Sequence, residues 1–188
     1  MANKTTIALS TEMYQEIINT MRTGGSGFRP NDRIATALVL EANLGMRIED
    51  ILQLHFCDII RDGSRYRLDI VEQKTKKKRT FTVPLPIYQY IQLYCIDNKI
   101  PADAVIFQIT ERAVQKHLQK VVDYLGYGND IGTHSFRKYF ATEIYKDNNY
   151  DIVLVKKLLQ HSSVATTQKY IGIEATVENA LQNHINLL

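Results

Sequence analysis

Residues 132–172 read GTHSFRKYFATEIYKDNNYDIVLVKKLLQHSSVATTQKYIG. Apolar residues recur there at helical spacing, which predicts helices over about 134–147 and 151–160 and a short one leading up to Tyr170. His134 and Arg137 lie three apart on the first of these helices, so they share a face. With Thr133 as N-cap, both fall in the first turn, where open backbone N–H groups and the helix dipole favour an anion. A histidine and an arginine at such a place suit a phosphate, whereas an isolated His-x-x-Arg is most often a structural histidine beside a surface arginine. His161 follows the second helix, where a lone histidine usually caps the helix end or is a satisfied polar group. Tyr170 comes nine residues later and, taken alone, reads as half-buried packing.

Upstream the period changes. Tyr66–Val71 and Thr80–Val83 alternate and are rich in β-branched and aromatic residues, predicting two strands with the basic run Lys74–Arg79 as the hairpin tip between them. Phe56–Ile60 is a candidate third strand. Further toward the N-terminus, Ser10 caps a helix whose face carries Met13, Tyr14, Ile17, Ile18 and Met21. Gly24–Gly27 and Pro30 break it. A second helix buries Ile34, Ala35, Leu38, Val39 and Ala42 and is punctuated by Gly45, and a short helix runs from Ile48 to Leu54. After Pro84 and Pro86, Ile87, Tyr90, Ile91 and Tyr94 restore the helical period, and another helix is expected at about 110–125. Val177, Leu181, Ile185 and Leu188 predict a last amphipathic helix. The fold expected is mainly α with a small antiparallel β-sheet, an α+β class. It forms a single domain over 1–188, with a leader at 1–8, a core at 9–172 and a tail helix at 173–188.

Composition sets the outer bounds. The chain has 188 residues, 45% hydrophobic and 23% charged, which is ordinary for one soluble globular domain and excludes large-scale disorder or a rod. No uncharged apolar run approaches the ~18 residues that span a bilayer, so no membrane partner is expected. Met1–Ser10 carries no apolar stretch of secretory type. Cys57 and Cys95 are expected to be reduced thiols of a cytoplasmic protein. The net charge is +3, yet residues 61–80 carry eight basic and three acidic side chains, a local +5 that leaves the remainder at −2. A focused positive patch on a near-neutral body points to a polyanionic partner, the alternative being a solvated basic turn. Neither a P-loop nor a cysteine–histidine metal pattern is present, so no cofactor is expected.

Two further residues complete the pattern. Arg47 sits in Gly45-Met46-Arg47-Ile48-Glu49-Asp50, flanked by apolar residues, and either pairs with a nearby carboxylate such as Asp50 or points into a site. Lys74 opens the hairpin tip, with Lys76, Lys77, Lys78 and Arg79 following. In this order the residues closely resemble the catalytic domain of the tyrosine recombinases, the phage integrase family. That family reads Gly-hydrophobic-Arg-Ile-x-Asp/Glu, then a β-hairpin lysine, then His-x-x-Arg. A Leu-Gly-His-Ser-Ser segment follows, with a nucleophilic tyrosine nine residues beyond its histidine. Residues 45–50, Lys74, His134 with Arg137, Leu159–Ser163 and Tyr170 match in turn, from about residue 8 onward. Gln160 departs from the pattern by replacing the glycine before His161, and Lys76, Lys77 and Lys78 compete with Lys74 for the lysine role. The resemblance also implies an N-terminal core-binding domain in most members, and only a short leader precedes the pattern in this sequence.

The resemblance implies DNA cleavage and rejoining through a 3′-phosphotyrosyl link, in a bacterial or phage-encoded protein working on double-stranded DNA. It assigns Tyr170 as nucleophile, Arg47, Arg137 and His161 as donors to the phosphate oxygens, His134 as general base and Lys74 as general acid. Lys76, Lys77, Lys78 and Arg79 are expected to contact DNA. It further implies a tetrameric synapse coupled through the tail helix, without a small-molecule cofactor. Tyrosine ionises near pH 10, so a nearby base is needed for attack at neutral pH. Forked arginine donors suit the charge that gathers on a pentavalent phosphate. A catalytically silent DNA-binding or regulatory member of the same fold, a type IB topoisomerase-like activity, and a pure interaction domain with a basic hairpin are the alternatives.

Overall fold

The computed structural model describes residues 6–74, 76–128 and 130–173. They form two compact units, residues 1–140 and 141–188, the second beginning within a helix. The tail expected at 173–188 lies outside the described residues except for Ile173.

In the first unit, α1 (Thr11–Thr23) starts where Ser10 accepts the Met13 amide, and it buries Ile17, Ile18 and Met21. The second helix, α2 (Asp32–Leu44), is capped by Asn31 accepting from Ile34 and is buried along most of its length. The short α3 (Ile48–Ile51) follows directly and ends three residues before the expected Leu54. The expected strand at Phe56–Ile60 is instead a 3-10 turn at Phe56–Asp58 leading into β1 (Ile59–Asp62). A bond from the His55 amide to the Asp58 carboxylate, 2.9 Å, favours the turn locally over extension.

β1, β2 (Arg65–Val71) and β3 (Lys78–Val83) form one antiparallel sheet in sequence order, with Leu68 opposite both Ile59 and Phe81. Arg79, Phe81 and Val83 alternate inward along β3, the period-2 pattern of a half-buried strand. The sheet packs on α4 (Leu85–Asp97), where Tyr66 stacks on Tyr88 with ring centroids 3.7 Å apart. α5 (Glu111–Tyr124) is capped by Thr110 and contributes Val114, Leu118, Val121 and Val122 to a core shared with Ile17, Leu38, Leu68 and Phe136. Each such side chain, fully buried, is worth about 1.5–3 kcal/mol. Cys95 is buried and Cys57 exposed, and both are free thiols.

α6 (Thr133–Asp147) begins at Thr133 itself, so this residue opens the helix instead of capping it. In the second unit, α7 (Ile152–Leu159) is capped by Asp151, and α8 (Val164–Ile171) by Ser163 accepting from Thr166. Ala141, Val155, Leu159 and Ile171 form its small core. Among the described residues no helix is long and apolar enough to cross a membrane.

Candidate active site

The turn after α2 brings two arginines under one constraint. Gly45 closes the helix in the left-handed conformation, φ 63°, its amide bonding back to Glu41. A side chain there would be strained by the backbone and would also overlap the Phe140 ring, so glycine is the residue that fits. The Gly45 carbonyl accepts a hydrogen bond of 2.9 Å from Arg137 Nε, 92 residues away along the chain. Arg47 follows two residues after Gly45, at the N-cap of α3. One glycine thus delivers Arg47 and anchors the buried Arg137.

Arg47 pairs with a carboxylate, one of the two alternatives the sequence leaves open, and that carboxylate is Glu72, not Asp50. Arg47 Nη1 lies 2.6 Å from Glu72 Oε2, and Arg79 Nη1 donates to Glu72 Oε1 at 2.7 Å. The side chains are 14%, 2% and 5% exposed for Arg47, Glu72 and Arg79. Arg79 therefore departs from the expectation of an exposed DNA-contacting tip. It is turned inward on β3, with its guanidinium 4.0 Å over the Phe81 ring, and burial lowers its pKa against the hydrogen bond and charge of Glu72. Asp50 has a different task. Its Oδ1 accepts the Gln73 amide at 2.8 Å, and burial raises its pKa. This bond fixes the hairpin beside Lys74.

The basic stretch is correspondingly narrower than its sequence. Arg65 and Arg67 face Asp62 at 3.6 and 3.5 Å, and Arg67 also pairs with Asp69 at 3.1 Å. Lys74, Lys76, Lys77 and Lys78 remain exposed at the tip. The Glu72 amide donates to the Lys77 carbonyl at 3.0 Å and the Lys76 amide to the Glu72 carbonyl at 2.9 Å, closing the turn.

His134 is solvent-exposed on the first turn of α6. Partial desolvation lowers its pKa, and the positive charges of Arg137, Lys74 and Arg47 lower it further. Lys74 is thus a hairpin lysine whose charge acts on this imidazole, together with the two arginines. The downward shift favours the neutral ring that a proton acceptor needs. Glu41 is fully buried nearby, and desolvation pushes its carboxyl well above the ordinary range against the attraction of Arg137.

The second unit carries His161 and Tyr170. Gln160 itself adopts the left-handed conformation, φ 54°, in the place the family pattern gives to glycine, and its amide and that of His161 close α7 on Lys157 and Lys156. The helix end is thus built as with glycine, under strain. His161 Nδ1 lies 3.1 Å from the hydroxyl of the buried Thr167, which donates its own proton to the Ser163 carbonyl at 3.2 Å. Thr167 thus anchors the Nδ1 edge of the His161 ring. The rings of His161 and Tyr170 meet edge to face with centroids 5.1 Å apart, and the Tyr170 hydroxyl oxygen is shielded from solvent. Sequence reasoning misses Glu72 and Thr167. The only signal is a lone acid at the start of a basic run and a second threonine before the tyrosine.

The sequence matches the phage integrase family over residues 8–176. It is 30% identical over 157 residues to the probable integrase/recombinase YoeC of Bacillus subtilis (strain 168), covering 80% of this chain and 83% of that protein. It is 28% identical over 151 residues to the tyrosine recombinase XerC of Bradyrhizobium diazoefficiens, covering 76% of this chain but 46% of that one. The chain thus spans about half the length of this longer relative. Its fold is also that of the XerH site-specific recombinase in a post-cleavage complex with its difH substrate, with a TM-score of 0.72 at 19% identity over 97% of this chain and 53% of that one. By sequence match and by fold, the chain belongs to the phage integrase family.

Proposed function

We propose that this chain cleaves and rejoins double-stranded DNA in site-specific recombination, with Tyr170 as the nucleophile. The Tyr170 oxygen bonds to the scissile phosphorus as the bond to the 5′-oxygen breaks, giving a 3′-phosphotyrosyl link and a free 5′-hydroxyl. His134 takes the phenolic proton, and Lys74 supplies a proton to the departing oxygen. Arg47, Arg137 and His161 donate to the non-bridging oxygens as their charge rises. His161 donates to phosphate only when the ring nitrogen facing the phosphate is protonated. The reverse attack by a 5′-hydroxyl rejoins the strand, and since the link keeps the phosphodiester's bonding, no nucleotide is consumed.

The observation that carries this reading is the Gly45 turn, which sets Arg47 at the start of α3 and takes Arg137 Nε on its carbonyl at 2.9 Å, with the charges of both arginines and of Lys74 acting on His134. These residues come from three parts of the sequence, and every one is suited to phosphoryl transfer. Lys76, Lys77 and Lys78, exposed on the tip, supply the phosphate contacts to DNA. The reading includes a tetrameric synapse held by the tail, supported by the apolar spacing of Val177, Leu181, Ile185 and Leu188 in the sequence. Since the substrate is DNA, the reaction belongs to the cytoplasm of a bacterial or phage-infected cell.

A nicked duplex that loses a short 5′-hydroxyl fragment on cleavage traps the covalent step. The protein is expected to acquire a DNA adduct at Tyr170, and Tyr170→Phe to bind the same duplex without forming one. Absence of an adduct from the unaltered protein on duplexes carrying its element's own ends, or an adduct that persists in Tyr170→Phe, refutes the assignment.

A further inference from the structure

The cluster of Arg47, Glu72 and Arg79 contains more than catalysis by Arg47 requires. Glu72 leaves β2 at the base of the hairpin tip, is buried, and is held from two sides by guanidinium groups, 2.6 Å from Arg47 and 2.7 Å from Arg79. Arg79 sits across the hairpin on β3, its place set by the Ile70–Arg79 register pair and by the Phe81 ring beneath it. Two residues after Glu72 comes Lys74, and the intervening Gln73 amide is tied to Asp50, three residues after Arg47. The strand end, the lysine hairpin and the start of α3 are therefore joined through one carboxylate and one amide.

We infer that Glu72 is a positioning residue for the phosphoryl transfer: clamped by Arg79, its carboxylate holds the Arg47 guanidinium in place and fixes it relative to the hairpin that carries Lys74. This rests on the recombinase reading above. An arginine side chain has several freely rotating bonds, and an unanchored guanidinium would have to be ordered anew at each encounter with phosphate. The Glu72 carboxylate orders it beforehand, and Arg79 in turn keeps that carboxylate from relaxing toward solvent. One carboxylate against two arginines also leaves the cluster with a net positive charge for an incoming phosphate.

The inference separates from a purely structural role by a double-mutant cycle. Glu72→Gln alone leaves two buried arginines facing a neutral amide, so it is made both singly and as Glu72→Gln/Arg79→Met, which removes the second buried charge along with its partner. Single-turnover cleavage of the nicked duplex is measured at saturating protein, with duplex affinity and thermal unfolding recorded in parallel. The double variant is expected to stay folded and to bind DNA within about twofold of the unaltered protein, while its cleavage rate falls about 100-fold, the scale of a misplaced reacting group. In an Arg47→Ala background, followed over hours, the same pair of changes is expected to alter the residual rate by less than about twofold, because residues acting as one unit are not additive. Cleavage by the folded double variant at the unaltered rate overturns the inference. So does an equal loss in both backgrounds, which means that Glu72 acts by a route other than Arg47. If neither variant folds while Arg47→Ala does, the cluster is structural and the inference is also wrong. Failure of the unaltered protein to form an adduct is read separately, and it removes the recombinase reading and this inference together.

Discussion

Replacing Gly45 by alanine tests how the fold delivers both arginines. Two penalties add at this position. The left-handed backbone, φ 63°, costs an alanine about 1–2 kcal/mol. The new methyl overlaps the Phe140 ring, and overpacking of this kind costs about 1–3 kcal/mol. Alanine's narrower unfolded ensemble offsets about 0.4–1 kcal/mol. The net loss is about 1–5 kcal/mol, which for a protein of this size lowers the melting temperature by roughly 2–4 °C per kcal/mol. Gly63 supplies the control. Its φ is 62°, nearly that of Gly45, but no atom lies within 4 Å of its added Cβ. Gly63→Ala therefore carries the backbone penalty without the collision, and the difference between the two variants isolates the packing against Phe140. Gly45→Ala also shifts the carbonyl that receives Arg137 Nε, so cleavage is expected to slow by more than the fraction unfolded explains, whereas Gly63→Ala cleaves normally. Thermal unfolding by circular dichroism and single-turnover cleavage at a temperature where both variants are folded provide the two readouts. The reasoning is wrong if Gly45→Ala melts no lower than Gly63→Ala and cleaves at the unaltered rate.

Three other outcomes are expected. Changing Lys76, Lys77 and Lys78 together to alanine should flatten the log–log salt dependence of duplex binding by up to ~3, about 0.9 for each phosphate no longer neutralised, while Arg79→Met should leave the slope within ~0.5, since its charge is buried against Glu72. Because desolvation and then the neighbouring cations lower the His134 pKa, the acid limb of the cleavage-rate profile should fall below pH ~6.5, with activity lost as the imidazole gains a proton; Lys74→Met removes one of the depressing charges along with the general acid and should move that limb upward in the slow residual cleavage, and a limb that stays put or moves down contradicts the assignment of His134 as base. Gln160→Gly relieves a left-handed non-glycine residue, worth about 1–2 kcal/mol, against about 0.4–1 kcal/mol for the wider unfolded ensemble of glycine, and should raise the melting temperature by up to roughly 6 °C; a fall would show that the Gln160 side chain contributes more than its backbone costs.

Much of this protein is legible without coordinates. Apolar residues at i, i+3 and i+4 mark α1, α2, α5 and α7, and the alternation of Tyr66–Val71 and Thr80–Val83 marks the hairpin, because burial of one face imposes a period that local sequence displays. Spacing likewise places His134 with Arg137 on one helical turn. Boundaries are less exact. Thr133 enters its helix, and the Asp58 carboxylate bends Phe56–Asp58 into a 3-10 turn, so that the candidate third strand begins only at Ile59. The partners of the charges are not legible at all. Arg47 reads as pairing with a carboxylate such as Asp50 or pointing into a site, and it pairs with Glu72. Arg79 reads as one more cation of a basic run but is turned inward by the strand's alternation onto that same carboxylate. The reason is physical. Helix and strand formation are governed by contacts a few residues apart, which sequence records as periodicity. The pairing of a buried charge depends on which groups the finished fold brings within 3 Å, and a carbonyl that receives an arginine 92 residues away leaves no periodic trace. Residue order and spacing are therefore enough to indicate most of the elements and, through the resemblance they carry, the family. Which groups Gly45, Asp50, Glu72 and Thr167 meet is decided by the folded chain, because each meets a partner that folding selects.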